Sequence, residues 1–282
     1  MNSLCPLVAL TILLCLVVGC AAPGQGPARA DSGGVTRLFI LAGQSNMVGA
    51  GRVEDLLDEQ RRTPPNIRLF EGGRFRELVY EKTFGPEVGF ADALVEAGVR
   101  EQVVLVKLAV GGTHLYGEWH PDARPPRPGE SPRDCLYPRL IAEVNQARVA
   151  LAAEGRQVAV TGMLWMQGER DSRTREMADA YERNLARLIQ AVRKDVGVAD
   201  LPVVVGKVCP RMMVVDLGSC IRIHAYREKV RAAQAAVAAK DPRVELVETD
   251  DLPQFDNLHF DAAGQMALGR RFARAYLKMV GR

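Results

Sequence analysis

The chain has 282 residues, 48% of them hydrophobic, which is enough for one domain with a sizeable core. Its 37 basic and 34 acidic residues leave a net charge of +3, so no strong field argues for a nucleic-acid partner. The glycines and prolines are spread among loops without an internal period or a heptad run, which excludes repeat and coiled-coil architectures.

In chain order, the first feature is an apolar stretch, Pro6 to Val18, too short to span a bilayer and followed by small residues, as in a secretory signal. It ends Val17-Val18-Gly19-Cys20, which resembles the bacterial lipobox. That resemblance implies removal of residues 1–19, lipidation of Cys20 and anchoring to a membrane. Ala21 in place of Asp is similar to lipoproteins sorted to the outer membrane. No Lys or Arg precedes the apolar stretch, and an ordinary signal peptide cleaved nearby is the other reading. Residues 20–34 read as a flexible tether, leaving 35–282 as the folded domain.

Beyond the tether, strand and helix alternate, which predicts a single α/β domain with a parallel sheet. The expected strands are Arg37–Ala42, Ile67–Phe70, Val103–Leu108, Val158–Met166 and Val203–Val208, with Val244–Val247 as a further edge. Expected helices are Glu87–Ala97, Leu136–Ala153, Met177–Val196, His224–Lys240 and Ala262–Val280, with apolar residues recurring at three and four, as at Tyr181, Leu185, Leu188, Ile189 and Val192. Five parallel strands covered on both faces give a three-layer α/β/α, flavodoxin-like sandwich. Two connections are long. Leu115 to Pro138 carries Trp119, His120 and many prolines, and Val208 to Arg222 carries Cys209 and Cys220; both are expected to wall a site. In an exported protein those two cysteines would close a disulfide; buried thiols are the alternative.

The chemistry begins where the apolar run Arg37–Ala42 meets Gly43-Gln44-Ser45-Asn46-Met47. Open α/β sheets place ligands at the carboxyl ends of their strands, so Ser45 stands where a hydroxyl can meet substrate. Of the four histidines, His259 has a carboxylate, Asp256, three residues earlier in an irregular segment. A serine, an imidazole to deprotonate it and an acid to orient the imidazole are the parts of acyl transfer. His224 opens an expected helix and reads as a surface residue. Oxyanion donors are expected at three strand ends: the Ser45 amide, the backbone of Gly111-Gly112-Thr113, and the side chain of Gln167. Glu169 and Asp171 read as buried structural carboxylates rather than an acid/base pair. No His/Cys cluster has metal-ligand spacing and no glycine-rich phosphate loop appears, so no cofactor is expected.

The blocks Gly43-Gln44-Ser45-Asn46-Met47, Gly111-Gly112-Thr113, Trp165-Met166-Gln167-Gly168-Glu169 and Asp256-Asn257-Leu258-His259, taken in order, resemble those of the SGNH hydrolase superfamily. They are most similar to its sialate O-acetylesterase/acetylxylan esterase branch, as are Gly85-Pro86-Glu87 and Val230-Arg231-Ala232-Ala233-Gln234. The resemblance implies Ser45 as nucleophile, His259 as base and Asp256 as its partner. The Ser45 amide, the Gly112 amide and the Gln167 side chain would form the oxyanion hole. Gln44, Asn46, Thr113, Trp119, His120 and Arg170 are the expected substrate contacts. Met166 and Arg170 depart from the branch pattern, which has His and a small residue there. An acetylated carbohydrate is the expected substrate. A relative acting on longer acyl chains and a non-catalytic glycan-binding lipoprotein are the rival readings. The α/β-hydrolase pattern does not fit, because position 47 is Met rather than Gly and Ser45 follows the first strand.

Overall fold

A computed structural model describes residues 34–122, 135–209 and 224–281, together with the backbone of 215–216 and 221–222. The expected signal segment, Cys20 and nearly all of the tether lie outside the described residues, as does Cys220 and with it the proposed disulfide. Cys135 and Cys209 are buried.

Seven strands form one sheet. They are β1 (Val35–Gly43), β2 (Ile67–Glu71), β3 (Arg74–Arg76), β4 (Val103–Ala109), β5 (Gln157–Met166), β6 (Val203–Gly206) and β7 (Val244–Val247). In space they run β7-β6-β5-β1-β4-β2-β3, and all neighbours are parallel except β2 and β3. The sheet therefore exceeds the expected five strands by the edge strand Val244–Val247 and by an antiparallel hairpin that closes through Gly72 and Gly73, both at positive φ.

The central strand explains the layering. Leu38, Ile40 and Ala42 of β1 enter one core and Phe39 and Leu41 the other, as the two-residue period of a strand requires. The first core is covered by α3 (Leu136–Ala153), α4 (Arg175–Val196) and α5 (Arg227–Lys240), through residues such as Leu140, Leu188 and Val230. The second is covered by α2 (Glu87–Glu96) and α6 (Ala262–Met279), through Phe90 and Phe272. Phe39 packs edge-on against Phe90 and Tyr276, at 5.1 and 4.8 Å between ring centres. The three-layer expectation holds, and a run buried on both faces is what a parallel interior strand demands. Among the described residues no helix is long and apolar enough to cross a membrane.

Candidate active site

The carboxyl ends of β1, β4 and β5 lie side by side, with Gly43 aligned to Ala109 on one side and to Met166 on the other. Gly43 is required there. Its φ is +154°, and a Cβ would stand 2.1 Å from the Met166 carbonyl oxygen, which instead accepts from the Gln44 amide at 3.0 Å. The chain then turns into a single helical turn, α1 (Ser45–Val48), held at its far end by Lys107 of β4. The Lys107 ammonium donates to the Val48 carbonyl at 2.9 Å and pairs with buried Glu87 at the same distance.

Ser45 Oγ lies 3.0 Å from His259 Nε2, and His259 Nδ1 lies 2.7 Å from Asp256 Oδ2. The other oxygen of Asp256 accepts from the amides of Leu258 and His259, at 3.0 and 2.6 Å. Burial opposes ionisation of Asp256, but the His259 ring and these two amides outweigh it and hold the carboxyl below its ordinary range. Left-handed Asn257 (φ 59°) between acid and base makes the short return possible. A hydroxyl in contact with an imidazole, itself oriented by an ionised carboxylate, can lose its proton as it attacks a carbonyl.

These groups open into a cleft of about 550 Å³. Gln44, Gly111 and Gly112 line it beside Ser45, and Gly112 has a φ of 70°. The Ser45 amide, in the first turn of a helix, has no carbonyl one turn earlier to bond. Arg170 also lines the cleft; its Nε is buried with no hydrogen-bond partner among the described residues. Among the described residues, no group of three or more His, Cys, Asp or Glu side chains is arranged to hold a metal ion.

Several expected site residues have other duties. Gln167 is fully buried, and its amide nitrogen contacts Asp171 Oδ2 at 2.6 Å, the Thr113 carbonyl at 3.0 Å and Gln44 Oε1 at 3.3 Å. Two hydrogens already face three acceptors, so this side chain does not offer a donor to the cleft. Asn46 is equally buried and bonded within the protein. Trp119 is a core residue. Its indole donates to Thr113 Oγ1 at 2.9 Å and packs edge-on to Trp165, which also takes Thr113 out of contact with substrate. His120 stands outside the cleft lining, and its Nδ1 accepts from the Asp122 amide at 3.3 Å. Asp171 is a buried acceptor for the amides of Leu115 and Tyr116, and burial pushes its carboxyl up to about 6 despite these bonds. Glu169, fully buried, accepts from the Asn46 amide, and burial raises its pKa as well.

The sequence reading missed four neighbours of the site. Glu118 and Arg173 line the cleft, and Glu118 Oε2 accepts from the His114 backbone amide at 2.9 Å and lies at the same distance from His114 Nδ1. His224, expected at the surface, is only 2% exposed and lines the cleft, because its Nδ1 sits 2.7 Å from the Glu169 carbonyl and 2.8 Å from Ser172 Oγ. Exposed Phe255 stacks on the His259 ring at 5.9 Å. An aromatic four residues before the base is the one sequence signal that could have found it.

The chain resembles known proteins in sequence and in fold. Residues 35–278 match the family described as carbohydrate esterase, sialic acid-specific acetylesterase. A probable carbohydrate esterase of Arabidopsis thaliana is 28% identical over 269 residues, covering 86% of this chain and 90% of that protein. The X-ray structure of that plant protein superposes with a TM-score of 0.66 at 26% identity, over 86% of this chain and 98% of its own. NanS shares the fold at a TM-score of 0.65 and 15% identity, over 88% and 98% of the two chains. A carbohydrate acetylesterase from Xanthomonas citri does so at 0.60 and 18%, over 87% and 57%. The likeness first carried by four short blocks thus extends over the whole domain, and the chain belongs to the carbohydrate esterase family of sialic acid-specific acetylesterases.

Proposed function

We propose that this esterase removes O-acetyl groups from carbohydrates through a serine-linked acyl-enzyme. The observation that carries the reading is the unbroken contact from Ser45 Oγ through His259 to Asp256, at 3.0 and 2.7 Å. In the first step Ser45 Oγ bonds to the acetyl carbon while its proton passes to His259 Nε2. The amides of Ser45 and Gly112 receive the negative charge that develops on the carbonyl oxygen. Gln44 contributes from the same wall: its oxygen is turned to Gln167 and the Arg170 amide, which leaves its nitrogen for the cleft. The C–O bond to the sugar then breaks, and the imidazolium protonates the departing alkoxide. In the second step water gives its proton to His259 and attacks the acyl carbon, and acetate leaves as the serine hydroxyl is restored.

The cleft favours a small acyl group and a polar leaving group, because Glu118, Arg170 and Arg173 supply its lining rather than an apolar trough. We assign sugar contacts to Arg170 and to the cleft-lining Gln44. Ser45→Ala should abolish p-nitrophenyl acetate turnover and fluorophosphonate labelling in a folded protein; turnover retained in that variant defeats the assignment. Delivery outside the cytoplasm on a lipid at Cys20 belongs to the same proposal and rests on the lipobox-like sequence. It predicts metabolic labelling by radioactive palmitate in wild type and none in Cys20→Ser.

A further inference from the structure

Building on that reading, we propose that Asn46 is a positioning residue for the base: its side chain clips the backbone on both sides of His259 to the helical turn that carries Ser45. Asn46 Nδ2 donates to the Leu258 carbonyl at 3.0 Å, and Asn46 Oδ1 accepts from the Phe260 amide at 3.1 Å. Leu258 and Phe260 are the two neighbours of His259, more than two hundred positions along the chain. One carboxamide therefore brackets the imidazole-bearing residue while sitting next in sequence to the serine.

The amide can face only one way. The Phe260 N–H needs an acceptor and the Leu258 carbonyl needs a donor, and the second hydrogen on Nδ2 goes to Glu169 Oε1 at 2.8 Å. Asn46 has no exposed surface, and Glu169 and Phe260 are buried beside it, so water has little access to these bonds. The base itself stands in an irregular stretch between β7 and α6. Local bonds shape that stretch, among them the Asp256 contacts and the Phe255 amide to the His259 carbonyl at 3.2 Å. Those bonds set the form of the loop, whereas the Asn46 clip sets where the loop stands relative to Ser45. Glu169, three residues past the end of β5, completes the clip by tying the same amide to the loop that leaves the sheet.

Because Asn46 does not reach the cleft, its loss acts through the His259–Ser45 distance and not through substrate binding. A shift of about 1 Å at a reacting group can lower the rate by about 10²-fold. Asn46→Ala in the full chain should lower kcat for p-nitrophenyl acetate by about that factor with KM changed less than twofold. Asn46→Asp should do no better, since it sets a carboxylate oxygen against the Leu258 carbonyl and Glu169.

The deciding measurement repeats Asn46→Ala in a His259→Ala background. A residue that works through His259 has nothing left to position there, so the second substitution should change the residual rate less than threefold. An equal loss in both backgrounds, a kcat within threefold of wild type, or an effect confined to KM overturns the proposal. Should Asn46→Ala fail to fold, Asn46→Ser leaves a smaller void and carries the same comparison. A His259→Ala enzyme that keeps the wild-type rate would instead remove the esterase mechanism itself, which separates the two failures.

Discussion

Replacing Asp256 with asparagine changes the charge of the acid and almost none of its shape, and the structure dictates how the new side chain must sit. The amides of Leu258 and His259 point at one oxygen of Asp256, at 3.0 and 2.6 Å. Both are donors, so the asparagine oxygen takes that place and its NH2 is forced to the other, 2.7 Å from His259 Nδ1. An NH2 facing Nδ1 makes that nitrogen an acceptor. The neutral ring then carries its hydrogen on Nε2, aimed at Ser45 Oγ 3.0 Å away, and can no longer take the serine proton. The same exchange in a serine protease triad lowers kcat by about 10⁴, equivalent to about 5.5 kcal/mol of barrier. Asp256→Asn should show a loss of this order in steady-state hydrolysis of p-nitrophenyl acetate near pH 7.5, with a thermal melt to verify folding. A folded variant that loses less than tenfold would refute the tautomer argument and, with it, the role given to the acid.

Two further outcomes concern the walls of the cleft. Arg170→Gln should raise KM for an acetylated saccharide by about tenfold, the worth of one charge-assisted contact of about 1.5 kcal/mol, and raise it less for p-nitrophenyl acetate; equal changes for the two esters would contradict a role in sugar binding. The bond from Glu118 raises His114 above its ordinary 6.5, and, against burial, the same pairing lowers Glu118 below its ordinary 4.5. The stability supplied by the raised histidine is present below that ordinary value and is lost as pH climbs through the raised one. The melting-temperature gap between wild type and Glu118→Gln should therefore be widest near pH 6 and narrow toward pH 9, and a gap that stays constant over that range contradicts the charge assignment.

What the sequence made legible follows the range of the interactions involved. Strand β1 is readable because it is buried on both faces, and the Ser45–His259–Asp256 contact because Gly-x-Ser at a strand end and Asp-x-x-His, each a weak pattern alone, occur together. The edge strand β3, Arg74–Arg76, alternates charged and apolar residues and is too short for periodicity to register, although the Gly72-Gly73 pair before it is a hairpin signal. His224 was misplaced because nothing near it in sequence reveals its partners. The Glu169 carbonyl and Ser172 Oγ come from the loop and short helical turn that follow β5, more than fifty residues earlier. Trp119 looks like a substrate wall for a related reason: a tryptophan in a proline-rich loop looks available until Trp165, on β5, is seen against it.

In the proposed mechanism Gln167 serves the oxyanion without touching it. Its amide nitrogen joins the Thr113 carbonyl, just past Gly112, to Gln44, just before Ser45, and to Asp171, which holds the amides of Leu115 and Tyr116. The two backbone donors assigned to the oxyanion are thus fixed relative to one another by a single buried carboxamide, and donors held in advance of the reaction are what electrostatic stabilisation requires. A strut and a direct donor differ in what their loss does. Removing a direct donor lowers kcat by about 10²–10³ and leaves folding stability alone. Gln167→Met, by contrast, strands the buried Thr113 carbonyl, at about 1–3 kcal/mol for an acceptor left unsatisfied, and leaves Asp171 and Gln44 with one donor fewer, so its loss of kcat should arrive with a lowered urea midpoint. A variant that melts like wild type yet turns over a hundredfold more slowly would return Gln167 to the oxyanion hole and show that its contacts with Thr113 and Asp171 yield when substrate binds.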